Sequence, residues 1–301
     1  MKKILAYVLL MTITLTTLVF PTGVYADTLP DLNVVWIGGS FTEGSAFYTE
    51  APQGLDGVNK NYVDRVGEWL TTKYAGQNVV HNYNVGIGGT GSTYGRLRLE
   101  KDVVSKNPDV VIIEFTGNDL ATGSDVINSL ESIIRRLQSL GKPVKIAFLY
   151  RGNFYKDLPA KPIYNEVAKY YNIFELDAEP YAKVLAAQNG YAWTDLCSHD
   201  STHPNSLGYY FLAEAMKKEL TDREINYPEK RTVPMTAGYT PILPTYIDAS
   251  NSSYITASTS TTVNGTNLVV AAGGSVTYAF NGTALGIVSN GFTGTSGQVV
   301  V

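Results

Sequence analysis

The stretch VVWIGGSFTEG, residues 34–44, runs apolar residues into paired glycines and then presents one hydroxyl, Ser40. A serine hydroxyl is a weak nucleophile at neutral pH and needs a base beside it. The chain holds 3 histidines, His81, His199 and His203. His81 lies inside a strand-like run, where a structural role is expected. His203 belongs to the stretch DSTHP, with Asp200 before it and Pro204 after it. On a loop, that spacing lets the carboxylate accept from Nδ1–H, which fixes the tautomer that leaves Nε2 free to face a serine. His199, with Asp195 as its acid, is a competing pair. Cys197, the only cysteine, lies close to a histidine and raises a thiol nucleophile. That reading is the weaker one, because the histidine has a better-placed partner in Ser40.

Attack on a carbonyl also requires donors for the oxyanion that forms. The backbone N–H of Ser40 is one, at a point where a strand turns into a helix. Gly89, in GIGGTG (86–91), offers a second N–H from a segment bare of side chains. The Asn118 amide, in TGND (116–119), is a third, although Gly-Asn-Asp is also good turn chemistry in its own right. Two phosphate-binding motifs compete for the same glycines. GIGGTG matches G-x-G-x-x-G, with Glu114 downstream, but it follows the second strand run and leaves DSTHP without a role. GSFTEGSA has P-loop glycine spacing with Ser45 where the lysine must stand.

The elements that must carry these residues can be read from periodicity. NVVWIGG, NVVHNYNVG, DVVIIEFTG, VKIAFLY and NIFELDA are short β-branched or aromatic runs ending near turn residues. Between them, Val63, Val66, Leu70 and Tyr74 share one helical face, as do Val126, Leu130, Ile133, Ile134 and Leu137. Strand–helix alternation with near-continuous apolar strands implies an α/β fold, a parallel sheet covered by helices on both faces. In such a sheet ligands bind outside the carboxyl ends of the strands, where Ser40, GIGGTG, TGND and DSTHP all fall.

Residues 1–26 read as a secretory signal: Lys2 and Lys3, an apolar run from Ile4 to Phe20, and VYA ending at Ala26. An uncleaved anchor is the alternative. The catalytic domain is expected over 27–222. A proline-rich linker or strap follows over 223–250, and a β-rich segment over 251–301. That last stretch is about half of the ~100 residues a β-sandwich needs, so an incomplete module is expected. The formal net charge of −4 comes without basic clusters, which argues against nucleic acid and against an anionic membrane surface as partners. After signal cleavage no membrane insertion is expected.

Taken in order, the four blocks resemble the SGNH hydrolases, also called GDSL esterases and lipases. Those blocks are GGSFTEG with Ser40, NVGIGG with Gly89, GND with Asn118, and DSTHP with Asp200 and His203. The resemblance runs from about Asn33 to Leu220. It implies a three-layer, flavodoxin-like sandwich around about five parallel strands. By the same likeness Ser40 is the nucleophile, His203 the base and Asp200 its orienting acid, with Ser40 N–H, Gly89 N–H and the Asn118 amide as the oxyanion hole. No metal or organic cofactor is implied. The family usually has Gly-Asp-Ser, and Gly39 stands here in place of the aspartate, a departure that bears on subfamily. Thr42 stands where G-x-S-x-G needs its last glycine, which argues against an α/β-hydrolase elbow.

An ester is the expected substrate, most specifically an acetylated polysaccharide, since the composition and the β-rich segment resemble extracellular carbohydrate esterases. A lipase or thioesterase on the same scaffold, or a non-catalytic polysaccharide-binding protein, are the alternatives. Trp193, Tyr94, Tyr150 and Tyr155 are candidate stacking partners for sugar rings, although isolated aromatics more often serve packing.

Overall fold

Each apolar run identified above ends at a glycine or polar turn, and each forms a strand. The computed structural model describes residues 29–44, 47–119, 123–154, 158–236, 239, 251–265 and 267–279. Along the chain these form β1 (Asp31–Gly38), α1 (Ser40–Glu43), α2 (Tyr62–Lys73), β2 (Val79–Asn84), α3 (Ser92–Leu97) and α4 (Leu99–Asp102). There follow β3 (Val110–Glu114), α5 (Ser124–Gln138), β4 (Lys145–Tyr150), α6 (Lys161–Tyr171), β5 (Phe174–Asp177), α7 (Ala178–Gln188) and α8 (Ser206–Asp222). The sheet order is β2-β1-β3-β4-β5, and every neighbouring pair is parallel. This is the flavodoxin-like order, whose switch point lies between β1 and β3.

Successive strand residues point to opposite faces, and both faces are dry. Val34, Trp36, Ile112, Leu149 and Leu176 pack with apolar residues of α2, α7 and α8. Val35, Ile37, Val111, Ile113 and Phe148 pack with those of α5 and α6 on the other side. The result is three layers, as a parallel sheet buried on both faces requires. Burying one such Val, Ile or Leu contributes roughly 1.5–3 kcal/mol, so the paired cores fix the strand ends firmly enough to hold a site.

Two helix starts bear on that site. Asn61 caps α2 by accepting from Asp64 N–H at 2.9 Å. Asn205 caps α8 by accepting from Gly208 N–H at 2.9 Å, while its own amide donates to the carbonyls of Asp195 and Cys197. Such caps stabilise a helix by about 1 kcal/mol. Here the second one also ties down the loop that carries His203.

Beyond α8, the backbone from 229 to 236 lies against α5 and α6. Gln138 donates to the Glu229 carbonyl, Arg135 to those of Arg231 and Val233, and buried Glu131 accepts from Met235 N–H. The strands β6 (Ile255–Asn264) and β7 (Asn267–Tyr278) then form an antiparallel pair. The signal-like segment, residues 240–250 and the stretch from 280 onwards lie outside the described residues.

Candidate active site

The chain leaves β1 at Gly38 and enters α1 with Ser40 as its first residue. Three contacts hold this turn. Gly39 N–H donates to the Glu114 carbonyl at the end of β3, and Ile87 N–H donates to the Gly38 carbonyl. The buried Arg98 guanidinium also donates to the carbonyls of Gly38 and Val85, bridging the ends of β1 and β2. Below the turn, Thr42 Oγ1 donates to Glu114 Oε2 at 3.1 Å and lies 2.9 Å from the Tyr62 hydroxyl. Glu114 in turn accepts from Arg151 Nε at 3.0 Å, both side chains being buried. Burial pushes the Glu114 carboxyl up from its ordinary value, and the Arg151 charge works against that rise. The Arg151 guanidinium also sits 3.2 Å from the centre of the Phe41 ring, next to Ser40.

His203 comes from the loop before α8. Its Nε2 is 2.6 Å from Ser40 Oγ, and its Nδ1 is 2.5 Å from Asp200 Oδ2. Asp200 Oδ1 accepts from the Ser198 hydroxyl at 2.5 Å and from the N–H groups of Thr202 and His203, both at 2.9 Å. Partial burial raises its carboxyl, but the Ser198 hydroxyl and the His203 and Thr202 donors outweigh burial and hold it far below the ordinary carboxylate range. A carboxylate held ionised on Nδ1–H leaves Nε2 as the acceptor facing Ser40, the arrangement in which a serine proton can be taken up.

The glycine-rich loop and the TGND turn meet the same edge. A methyl group on Gly88 would stand 3.6 Å from Ser40 Cβ, so this loop runs past the serine. Gly89 follows at φ 71°, in the left-handed region, and is exposed. Asn118 turns off β3 with its N–H on the Phe115 carbonyl at 2.9 Å. Asp119 fixes that turn by accepting from Ser92 N–H at 2.8 Å and from the Tyr164 hydroxyl at 2.7 Å. A Cβ at Gly39 would come 2.4 Å from Asn118 Oδ1. A larger residue at position 39 would therefore collide with the Asn118 side chain, which lies against the serine turn. Ser40, His203 and Asp200 thus meet at the carboxyl end of β1, and the loop holding Gly88 and Gly89 and the Asn118 turn follow the neighbouring carboxyl ends of β2 and β3.

Other candidates fall elsewhere. His199 pairs with Glu50, Nδ1 to Oε1 at 2.7 Å, and not with Asp195, whose carboxylate accepts from Ala192 N–H. His81 bonds Asp31 at the sheet edge. The Cys197 thiol is pushed up to about 11 by burial and by the charges of Asp200 and Glu50, so it stays protonated at neutral pH. Glu114, the acid of the dinucleotide motif, is buried under the serine turn and unavailable to a ribose. Tyr150 is buried at 1% exposure and cannot stack on a sugar, whereas Tyr94 and Trp193 are half-buried. Trp193 packs on Phe154 at 4.8 Å. Tyr155 lies outside the described residues. Sequence reasoning missed Phe47, Glu50, Arg98 and Arg151, which reach the site only through tertiary contacts. Among the described residues no group of three His, Cys, Asp or Glu side chains is placed to hold a metal ion.

The model of the GDSL-like lipase/acylhydrolase family matches residues 36–211, more than half of the chain. The chain belongs to that family. It is similar to a two-domain esterase active on acetylated mannans, crystallised with mannopentaose, at 26% identity and a TM-score of 0.55. That match covers 69% of this chain and 53% of the esterase, so the chain spans about half the esterase's length. A GDSL-like protein of Parabacteroides merdae shares the fold at 18% identity and a TM-score of 0.50, over 65% of this chain and 99% of that one. No curated protein matches the chain.

Proposed function

We propose that this chain is a secreted serine esterase that removes acetyl groups from a polysaccharide through an acyl-enzyme on Ser40. The observation that carries this reading is the unbroken chain from Ser40 Oγ through the His203 ring to Asp200, at 2.6 and 2.5 Å. His203 Nε2 takes the hydroxyl proton as Ser40 Oγ attacks the ester carbonyl. The tetrahedral oxyanion is met by Ser40 N–H, Gly89 N–H and the Asn118 amide. The intermediate collapses, the C–O bond to the alcohol breaks, and His203 returns the proton to the departing oxygen. A water molecule then gives its proton to His203 and attacks the acyl carbon, releasing the acid and restoring the Ser40 hydroxyl.

The acetyl-polysaccharide assignment rests on the likeness to an esterase active on acetylated mannans. Export rests on the sequence of residues 1–26, and no helix among the described residues is long and apolar enough to cross a membrane. The test is hydrolysis of acetyl and octanoyl p-nitrophenyl esters beside acetate release from acetylated mannan. Acetyl preference and acetate release are expected. Octanoyl preference would move the substrate to lipids, and equal rates for wild type and Ser40→Ala would remove the hydrolase reading altogether.

A further inference from the structure

The segment after α1 makes contacts that the serine, the histidine and the aspartate do not by themselves require. The Phe47 ring lies flat on the His203 imidazole, with centroids 4.2 Å apart and planes within 6°. The Phe41 ring touches the same imidazole at 5.1 Å, tilted by 39°. Three residues beyond Phe47, the Glu50 carboxylate grips the loop that carries His203. It accepts from His199 N–H at 3.1 Å and meets His199 Nδ1 at 2.7 Å. Two backbone bonds complete the clamp, Ser206 N–H to the Glu50 carbonyl at 3.0 Å and Leu207 N–H to the Pro52 carbonyl at 2.9 Å. The histidine loop is thus bound at both its ends to the short stretch 47–52, and the ring of that stretch covers one face of the imidazole.

We propose that Phe47 is a positioning residue for His203 and that the Glu50–His199 pair is the anchor that keeps it there. The inference rests on the reading of His203 as the base. An imidazole held only through Nδ1 by Asp200 can still swing about that bond, carrying Nε2 off the serine. A ring stacked on its face removes that freedom at the cost of no polar group. Phe47 therefore acts through His203 and needs no contact with substrate. A loss of rate on its removal falls on kcat and not on KM, since alignment of the reacting atoms is what is lost.

The experiment compares kcat and KM on p-nitrophenyl acetate for wild type, Phe47→Leu, Phe47→Tyr, Glu50→Ala, the Phe47→Leu/Glu50→Ala double variant and His203→Ala, with thermal unfolding of each. Phe47→Leu is expected to lower kcat about tenfold with KM within about twofold, and Phe47→Tyr to restore most of the rate. Glu50→Ala is expected to lower kcat several-fold, and the double variant to fall short of the product of the two single losses, because both act through one ring. Wild-type kcat in Phe47→Leu, a loss confined to KM, or fully multiplicative losses would each overturn the proposal. Should Phe47→Leu fail to fold, Glu50→Ala decides by its kcat alone. An active His203→Ala would instead sink the underlying reading of the site, whatever the Phe47 variants do.

Discussion

The Ser40 hydroxyl oxygen lies 2.6 Å from Nε2 of His203, although 163 positions of sequence separate the two residues. Nothing local brings them together. The β1 carboxyl end delivers one and the capped start of α8 delivers the other. Ser40→Ala and His203→Ala are each expected to lower kcat by about 10³-fold or more, and the double variant to be little worse than either, since the pair acts as a unit. Steady-state kinetics on p-nitrophenyl acetate check this, and additive losses would show two independent roles.

Asp200 carries its own pH signature. Its folded carboxyl sits far below the ordinary value of 3.8 because Ser198, Thr202 and His203 donors outweigh partial burial. A depressed carboxyl binds fewer protons in the folded than in the unfolded state, so its stabilisation is complete above about pH 4 and fades as pH falls toward the folded value. Asp200→Asn is expected to cut kcat by about 10³- to 10⁴-fold. It should also lower the melting temperature at pH 7, by a margin that shrinks below about pH 4. A margin constant with pH would contradict the charge argument.

The oxyanion donor proposed above, Asn118, can be removed directly or pushed aside. Asn118→Ala is expected to lower kcat by about 10²- to 10³-fold with little change in KM. Gly39→Asp, which restores the residue more usual in the family, places a Cβ 2.4 Å from Asn118 Oδ1 and should displace the amide. A loss in kcat with the melting temperature nearly unchanged is expected. Wild-type activity in Gly39→Asp would mean that Asn118 shifts without consequence.

The buried Glu114–Arg151 pair predicts a stability effect. Arg151→Met leaves the Glu114 carboxylate buried without its cation, a change that costs about 3–5 kcal/mol in such pairs. Burial already raises the Glu114 carboxyl and Arg151 restrains that rise, so the variant's carboxyl climbs further. A raised carboxyl is protonated more readily in the folded state, so lowering the pH relieves the penalty. Urea unfolding at pH 7 and pH 5 is expected to show the gap to wild type narrowing at pH 5, and a gap of equal size at both would contradict it.

Much of this arrangement is legible in one dimension, for physical reasons. Ser40, the Gly88–Gly89 stretch and Asn118 follow apolar runs that bury on both sides, so a parallel sheet must bring them to one edge. Asp200 and His203 pair within a single loop, where spacing alone settles reach. What the sequence does not show shares a cause as well. The rival pair of His199 with Asp195, its neighbour in sequence, does not form, because the short helical turn at 193–196 bends that carboxylate back onto Ala192 N–H. The actual partner of His199, Glu50, lies 149 positions away. Phe47, Arg98 and Arg151 have no motif, because a ring face or a buried cation is recruited by whatever the fold places opposite it. Tyr150 takes the packing role that isolated aromatics more often have, since as the last residue of β4 it turns into the core beside Tyr164.

Acyl-enzyme formation on Ser40 is read most directly by intact mass after treatment with a fluorophosphonate. One adduct on Ser40 is predicted, absent in Ser40→Ala, much slower in His203→Ala, and forming in step with loss of esterase activity. An active enzyme that takes no label, or takes it on another residue while activity disappears, would contradict the account.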